Sequence, residues 1–264
     1  MRGAERFTRS ASFRLARHLP NSWLGEIGHV ARFAQGKGWG AATVNEEIKA
    51  LTKLLQSRDI QQHDIVLDVG ANRGDWTAAL LQAIPHSSVF CFEPSAVGYA
   101  QLTTRFSQND RVSLIQTAIA KECGVASLFA DSPGSTLGSL SHRAVEHLGI
   151  SFAHRETVSV TTLDTWCRSA SVSPTVVKLD IEGHELGALE GGTSILQSVL
   201  VVQFEFGPSN IETRTYFRDF YTFFRDVGFR VFRLSPRGLV PVEGYTEDDE
   251  AFVVTNYFAR RLRE

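Results

Sequence analysis

Beyond residue 63 the chain alternates between two hydrophobic rhythms. Short, nearly continuous apolar runs lie at 64–69, 88–92, 112–116, 175–179, 199–206, 229–234 and 251–257. Between them, apolar residues recur at helical spacing. Continuous runs bounded by turn residues predict strands buried on both faces, and the helical spacing predicts helices from about Asp75 to Ile84, Ala96 to Phe106, beyond Glu185 to about Leu189, and Tyr216 to Val227. Asp75 is placed to cap the first of these, and Pro85 stops it. Such alternation implies a parallel sheet with helices on both faces. The last two runs follow the last helix and are joined by the polar stretch 235–250, which implies one antiparallel edge strand. The expected architecture is an α/β fold with a mostly parallel, seven-stranded sheet.

Two regions depart from this rhythm. Residues 1–60 read as a helical cover: Trp23, Ile27, Val30 and Phe33 fall on one helical face, 36–40 break the pattern, and Ile48, Leu51, Leu54 and Leu55 line a second helix over 44–57. Residues 118–163 read as an insertion into the 61–264 domain, with strands at 125–130 and 157–163, a loop at 131–136, a helix at 139–148, and Asp164 capping a short helix to Arg168. Its position beside the sheet places it on the substrate side. No repeat or interdomain linker is visible.

In an open parallel sheet, ligands bind beyond the carboxyl ends of the strands. This chain puts Asp68, Gly70, Glu93, Thr117, Asp180 and Glu205 there. Gly70-Ala71-Asn72-Arg73-Gly74 forms a tight loop between strand and helix but lacks the Gly-x-Gly-x-x-Gly that brings a dinucleotide pyrophosphate onto a helix N-terminus. A nucleoside without pyrophosphate suits it better, and S-adenosylmethionine is such a ligand. The carboxylate of that cofactor would lie near the loop, and Glu93 would accept both ribose hydroxyls. Asn72, Trp76, Thr77 and Pro94 are close enough in sequence to share the contact. A nicotinamide-dependent oxidoreductase on a related fold, and a cofactor-binding subunit without catalysis, are the competing readings.

Asp68-Val-Gly-Ala-Asn-x-Gly74, Phe92-Glu93-Pro94, Leu163-Asp164 and Lys178-Leu-Asp-Ile-Glu-Gly-His-Glu185 occur in that order. Over about 60–257 this resembles the FkbM family of S-adenosylmethionine-dependent methyltransferases. The resemblance implies a Rossmann-like class I methyltransferase fold and methylation of hydroxyls on sugars, glycans or polyketide-type natural products. Arg73 stands where similar sequences carry an apolar residue. Methylation of a hydroxyl needs the oxygen aligned with the methyl and its proton removed. Asp180, Glu182, His184 and Glu205 are the candidates for that work, Asp180 forming the floor of the site, while Glu185 reads as a residue that caps the helix start or faces solvent.

Composition limits the rest. The chain has 264 residues, of which 43% are hydrophobic and 21% charged, and its net charge of −2 counts against nucleic acid as the main partner. Cys91, Cys123 and Cys167 are far apart and fit reduced thiols in a cytosol. No metal is expected: His142, His147 and His154 are too loosely spaced for zinc, and Asp180, Glu182 and Glu205, which could share Mg²⁺, are accounted for by a cationic cofactor. Residues 1–20 are Arg-rich and acid-poor, a pattern shared by a helix packed on its own domain, a membrane-surface helix and a transit peptide. The aromatic run from Tyr216 to Phe224 reads as helix packing or as an oligomer face.

Overall fold

A computed structural model describes residues 19–41, 44–55 and 64–262. Five parallel strands form the part of the sheet that carries the motifs: β1 (Ile65–Val69), β2 (Ser88–Phe92), β3 (Val112–Ile115), β7 (Val176–Leu179) and β8 (Val201–Phe206). The remaining strands are β4 (Ala118–Ile119), β5 (Gly124–Ala130), β6 (His154–Thr161), β9 (Phe229–Ser235), β10 (Gly238–Pro241) and β11 (Thr255–Arg261). The main sheet runs β10-β9-β11-β8-β7-β1-β2-β3, and β4-β6-β5 form a small second sheet. The order reverses at β1, whose neighbours are β2 and β7. That switch opens a crevice at the carboxyl ends.

Successive strand residues face opposite sides, so each strand feeds two cores. Leu67, Val69, Val177, Val202 and Phe204 pack with α5 (Leu163–Ala170), α6 (Glu185–Glu190) and α8 (Phe217–Asp226). Val66, Val89, Val176 and Val201 pack on the other face with α2 (Val44–Leu55), α3 (Asp75–Ala83) and α4 (Ala96–Phe106). A further short helix, α7 (Ser209–Thr213), follows β8. The aromatic run belongs to the first core: Phe217, Phe220 and Phe224 are fully buried, with Phe220 stacked on Phe204 at 4.9 Å between ring centres.

Several expectations need correction. Among the described residues the sheet has eight strands, and the antiparallel β11 is internal, between β8 and β9. The edge is β10, cut from the polar linker: a four-residue hairpin strand is too short to show a rhythm of its own. No helix spans 139–148; Ser139 exchanges backbone bonds with Phe129 and ties the segment to the edge of β5, leaving only a turn of 3₁₀ helix at Glu146–Leu148. Thr162, not Asp164, caps α5, while Asp164 accepts from the amides of Ser194 and Ile195. Gly74 occupies the cap position expected for Asp75, which begins α3.

The N-terminal cover divides in two. α2 buries Ile48, Ala50, Leu51, Leu54 and Leu55. α1 (Asn21–Ala34) buries nothing. The readings made for residues 1–18 lie outside the described residues.

Candidate active site

A cavity sits at the carboxyl ends of β1, β2 and β7, with the second sheet as its far wall. It encloses about 670 Å³ of empty space, open solvent at its mouth included. Of the residues singled out in the sequence, Gly70, Asn72, Glu93, Pro94, Thr117, Asp180 and His184 line it. The insertion contributes Leu128, Ala130, Leu140 and Glu156 among others. Most of that wall is apolar, which suits a flat ring, and the polar atoms converge from the strand ends.

Glu93 is the centre of the first polar group. One carboxylate oxygen accepts from the amide of Asn72 and the other from the amide of Ser95, both at 2.9 Å. Burial pushes its pKa up to about 6, against the pull of those two donors. Each oxygen keeps a further lone pair, so two ligand hydroxyls can still be received. Ser95 lines the same cavity, and its buried hydroxyl has no partner among the described residues. An unspent donor beside a two-oxygen acceptor is the polarity a ribose requires, so these residues fit a nucleoside. The Asn72 side chain is turned away to the carbonyls of Gly134 and Ser135, pinning the insertion loop to the glycine loop.

The second group follows β7. The chain turns sharply there, with Glu182 at φ 52° and Gly183 at φ 98°. Glu185, read from sequence as capping the helix start or facing solvent, is buried and reaches back to accept from the amides of Ile181 and Gly183. Burial raises its pKa to about 7. Asp180 is exposed to the cavity, with Lys178 Nζ 3.5 Å from its carboxylate. His184 Nε2 lies 3.0 Å from Ser141 Oγ, and burial holds its pKa below the ordinary histidine value. Glu182 does not line the cavity. It is paired with Arg143 at 2.8 Å, and burial outweighs that partner, raising its pKa to about 8. Glu205 also lies away from the lining, with a pKa raised well above the usual carboxylate range by burial first and then by Asp180 and Glu182. Two of the four candidates for proton removal, Asp180 and His184, therefore meet in one cavity; Glu182 and Glu205 do not join them. Among the described residues, no group of three or more acids, histidines and cysteines is arranged to hold a metal ion.

Residues 68–231 match the family model described as the methyltransferase FkbM domain. The chain belongs to the FkbM methyltransferase family. Two named relatives bear this out. The 2-O-methyltransferase NoeI of Sinorhizobium fredii is 25% identical over 195 residues, covering 69% of this chain and 77% of the relative. The hexuronic acid methyltransferase AglP of Haloferax volcanii is 30% identical over 179 residues, covering 65% and 68%. A solved precorrin-6y C5,15-methyltransferase from Geobacter metallireducens aligns over 80% of this chain and 87% of its own at 11% identity, with a TM-score of 0.41.

Several residues of the FkbM motifs turn out to lie beneath the cavity. Asp68 is fully buried, accepting from Thr77 Oγ1 at 2.6 Å and from Lys178 Nζ at 3.0 Å. Lys178 also donates to the Gly70 carbonyl, so one cation ties β1, the glycine loop and Asp180 together. Trp76 is buried in the core, and its indole N–H donates to Gln203, which in turn bonds Glu47 of α2. Asp68, Trp76 and Thr77 thus support the loop from behind and do not line the cavity. Gly74 is equally removed: a Cβ there would come within 2.4 Å of the Phe106 ring, so its role is close packing of α3 on α4. Gly70 does face the cavity, and a Cβ on it would lie 1.9 Å from the Asp180 carbonyl. Arg73 is exposed, and its carbonyl accepts from Arg105, so its departure from the FkbM pattern falls on the outside of the turn. Sequence reasoning missed Ser95, Ser141 and Arg143. Ser95, two residues after Glu93 in a Glu-Pro-Ser turn, was the one with a local signal.

Proposed function

We propose that this FkbM methyltransferase carries the methyl group of S-adenosylmethionine to a hydroxyl of a sugar or glycan. The observation that carries the reading is a single cavity in which a nucleoside-receiving pair, Glu93 and Ser95, shares a space with Asp180 and a His184 whose pKa burial lowers. The sugar assignment is supported by the relatives' names, a 2-O-methyltransferase and a hexuronic acid methyltransferase.

When bound, S-adenosylmethionine supplies a methyl group already activated by its positive sulfur. The residues have three tasks. Glu93 and Ser95 hold the ribose, while Gly70 lets the backbone approach closely. The apolar wall of Leu128, Ala130 and Leu140 keeps water out. His184 takes the acceptor's proton: with Nε2–H donating to Ser141 Oγ, Nδ1 retains the lone pair, and a depressed pKa keeps that lone pair free at neutral pH. Asp180, directly after β7, orients the acceptor hydroxyl.

Thermal denaturation tests the cofactor. S-adenosylhomocysteine is expected to raise the transition temperature and NAD to leave it unchanged, because only a ligand of the folded state stabilises it. Glu93→Gln, which keeps a carbonyl but loses one acceptor oxygen, is expected to weaken the shift. Stabilisation by NAD alone would overturn the reading. Transfer of a labelled methyl group to uronic acid glycosides, measured beside neutral glycosides and a macrolide alcohol, tests the acceptor class.

A further inference from the structure

The N-terminal helix α1 carries an apolar stripe that the fold leaves bare. Trp23, Ile27, Val30 and Phe33 follow one another at helical spacing and are 63%, 55%, 63% and 39% exposed. No residue of α1 is buried. Its C-terminal end is nonetheless anchored. Gly36 and Lys37 are buried, Lys37 faces Asp249 at 3.8 Å, Arg233 donates to the Gln35 carbonyl at 2.8 Å, and Phe33 meets Trp39 edge-on at 4.7 Å. The result is a helix held at one end with its hydrophobic face presented outward. Scattered exposed apolar residues need no explanation, but a stripe of four including a tryptophan marks an interaction surface.

Charge selects the occupant. Residues 1–17 hold five arginines against one glutamate, a net +4. The whole chain is −2, so residues 18–264 carry −6. A basic stretch directly before an amphipathic helix, on an otherwise acidic body, matches an anionic bilayer: lipid headgroups attract the arginines, the acidic body is held off, and the apolar stripe enters the acyl boundary. Among the described residues no helix is long and apolar enough to cross a membrane. We propose that α1 is an interfacial anchor that docks the protein on anionic lipid surfaces, lying in the headgroup plane through Trp23, Ile27, Val30 and Phe33. The proposal is independent of the acceptor assigned above.

Co-sedimentation of the full chain with vesicles tests it. Binding is expected to vesicles of phosphatidylglycerol and phosphatidylcholine, to weaken with added salt, and to be much lower on phosphatidylcholine alone. The triple variant Trp23→Ser, Ile27→Ser, Val30→Ser should reduce partitioning by about tenfold or more, given the apolar area withdrawn from the interface. Its thermal transition and its response to S-adenosylhomocysteine should be unchanged, since α1 contributes nothing to the core. Trp23→Phe should bind the vesicles yet lose the blue shift in tryptophan fluorescence seen with wild type. Three results would overturn the proposal: no sedimentation with anionic vesicles, equal sedimentation of the triple-serine variant, or a dimer in analytical ultracentrifugation that the same substitutions dissolve.

Discussion

At the scale of single residues, the distinction that matters is between groups with spare hydrogen-bonding capacity and groups already spent. Glu182 is committed to Arg143 and Asn72 to the insertion loop, whereas His184 lines the cavity with one ring nitrogen bonded to Ser141. Replacing His184 by Asn is therefore expected to lower kcat by roughly 10²–10⁴-fold, the usual worth of a general base, with S-adenosylhomocysteine affinity retained. Calorimetric titration beside turnover would separate the two. The pH profile has a definite sign. Protonated His184 cannot accept a proton, so activity should fall on the acid side, and the burial-depressed pKa puts that fall below the ordinary histidine value of about 6.5. A rate that is flat through that range and lost only with Asp180→Asn would transfer the role to Asp180.

At the scale of elements, the turn after β7 is held by a side chain of the helix that follows it. Glu185 opens α6 and satisfies the Ile181 and Gly183 amides, for which no backbone acceptor is found among the described residues. The same turn presents Asp180 and His184. Glu185→Ala should leave both amides without that acceptor, at a cost of roughly 1–3 kcal/mol for each unsatisfied buried group. Urea denaturation would measure the loss, and Glu185→Gln should recover part of it through its remaining carbonyl oxygen. If Glu185→Ala unfolds at the wild-type urea concentration, the clasp contributes nothing.

For the whole molecule, the two faces of the sheet differ in character. One is an aromatic core built around Phe204 and Tyr257. The other threads a polar chain through apolar packing, from Lys178 and Asp68 at the loop, and from Trp76 through Gln203 to Glu47 and Asn256. Burial dominates the carboxyls: Glu93 is raised to about 6, Glu47 and Glu185 to about 7, and Glu182 to about 8. These groups bind protons more tightly folded than unfolded, where a glutamate titrates near 4.3. The folded state then holds more protons, and stability should fall as pH rises between about 5 and 8. His184, depressed in the folded state, opposes this by a single proton on the acid side. Transition temperatures across that range would show the slope, and a rising curve would mean that the carboxyls are charged and paired in the fold.

Much of this was legible in the chain because it is written locally. Strand and helix periods follow from which positions are apolar, the wide glycine spacing removes a pyrophosphate, and Glu93 and Asp180 stand at strand ends whatever the strand order. The sequence by itself determined the layered α/β fold, the place of the crevice and the motifs of a methyltransferase. Only the tertiary structure decided which polar residues face that crevice. Neighbours on a strand point to opposite faces, so Asp68 goes under the sheet while Val69 beside it lines the cavity. Arg143 and Ser141 meet Glu182 and His184 across 39 and 43 residues of chain, a separation that no local pattern encodes. The internal place of β11 and the bare face of α1 have the same origin: pairing and packing partners are chosen among distant segments, by the surface each has left to bury.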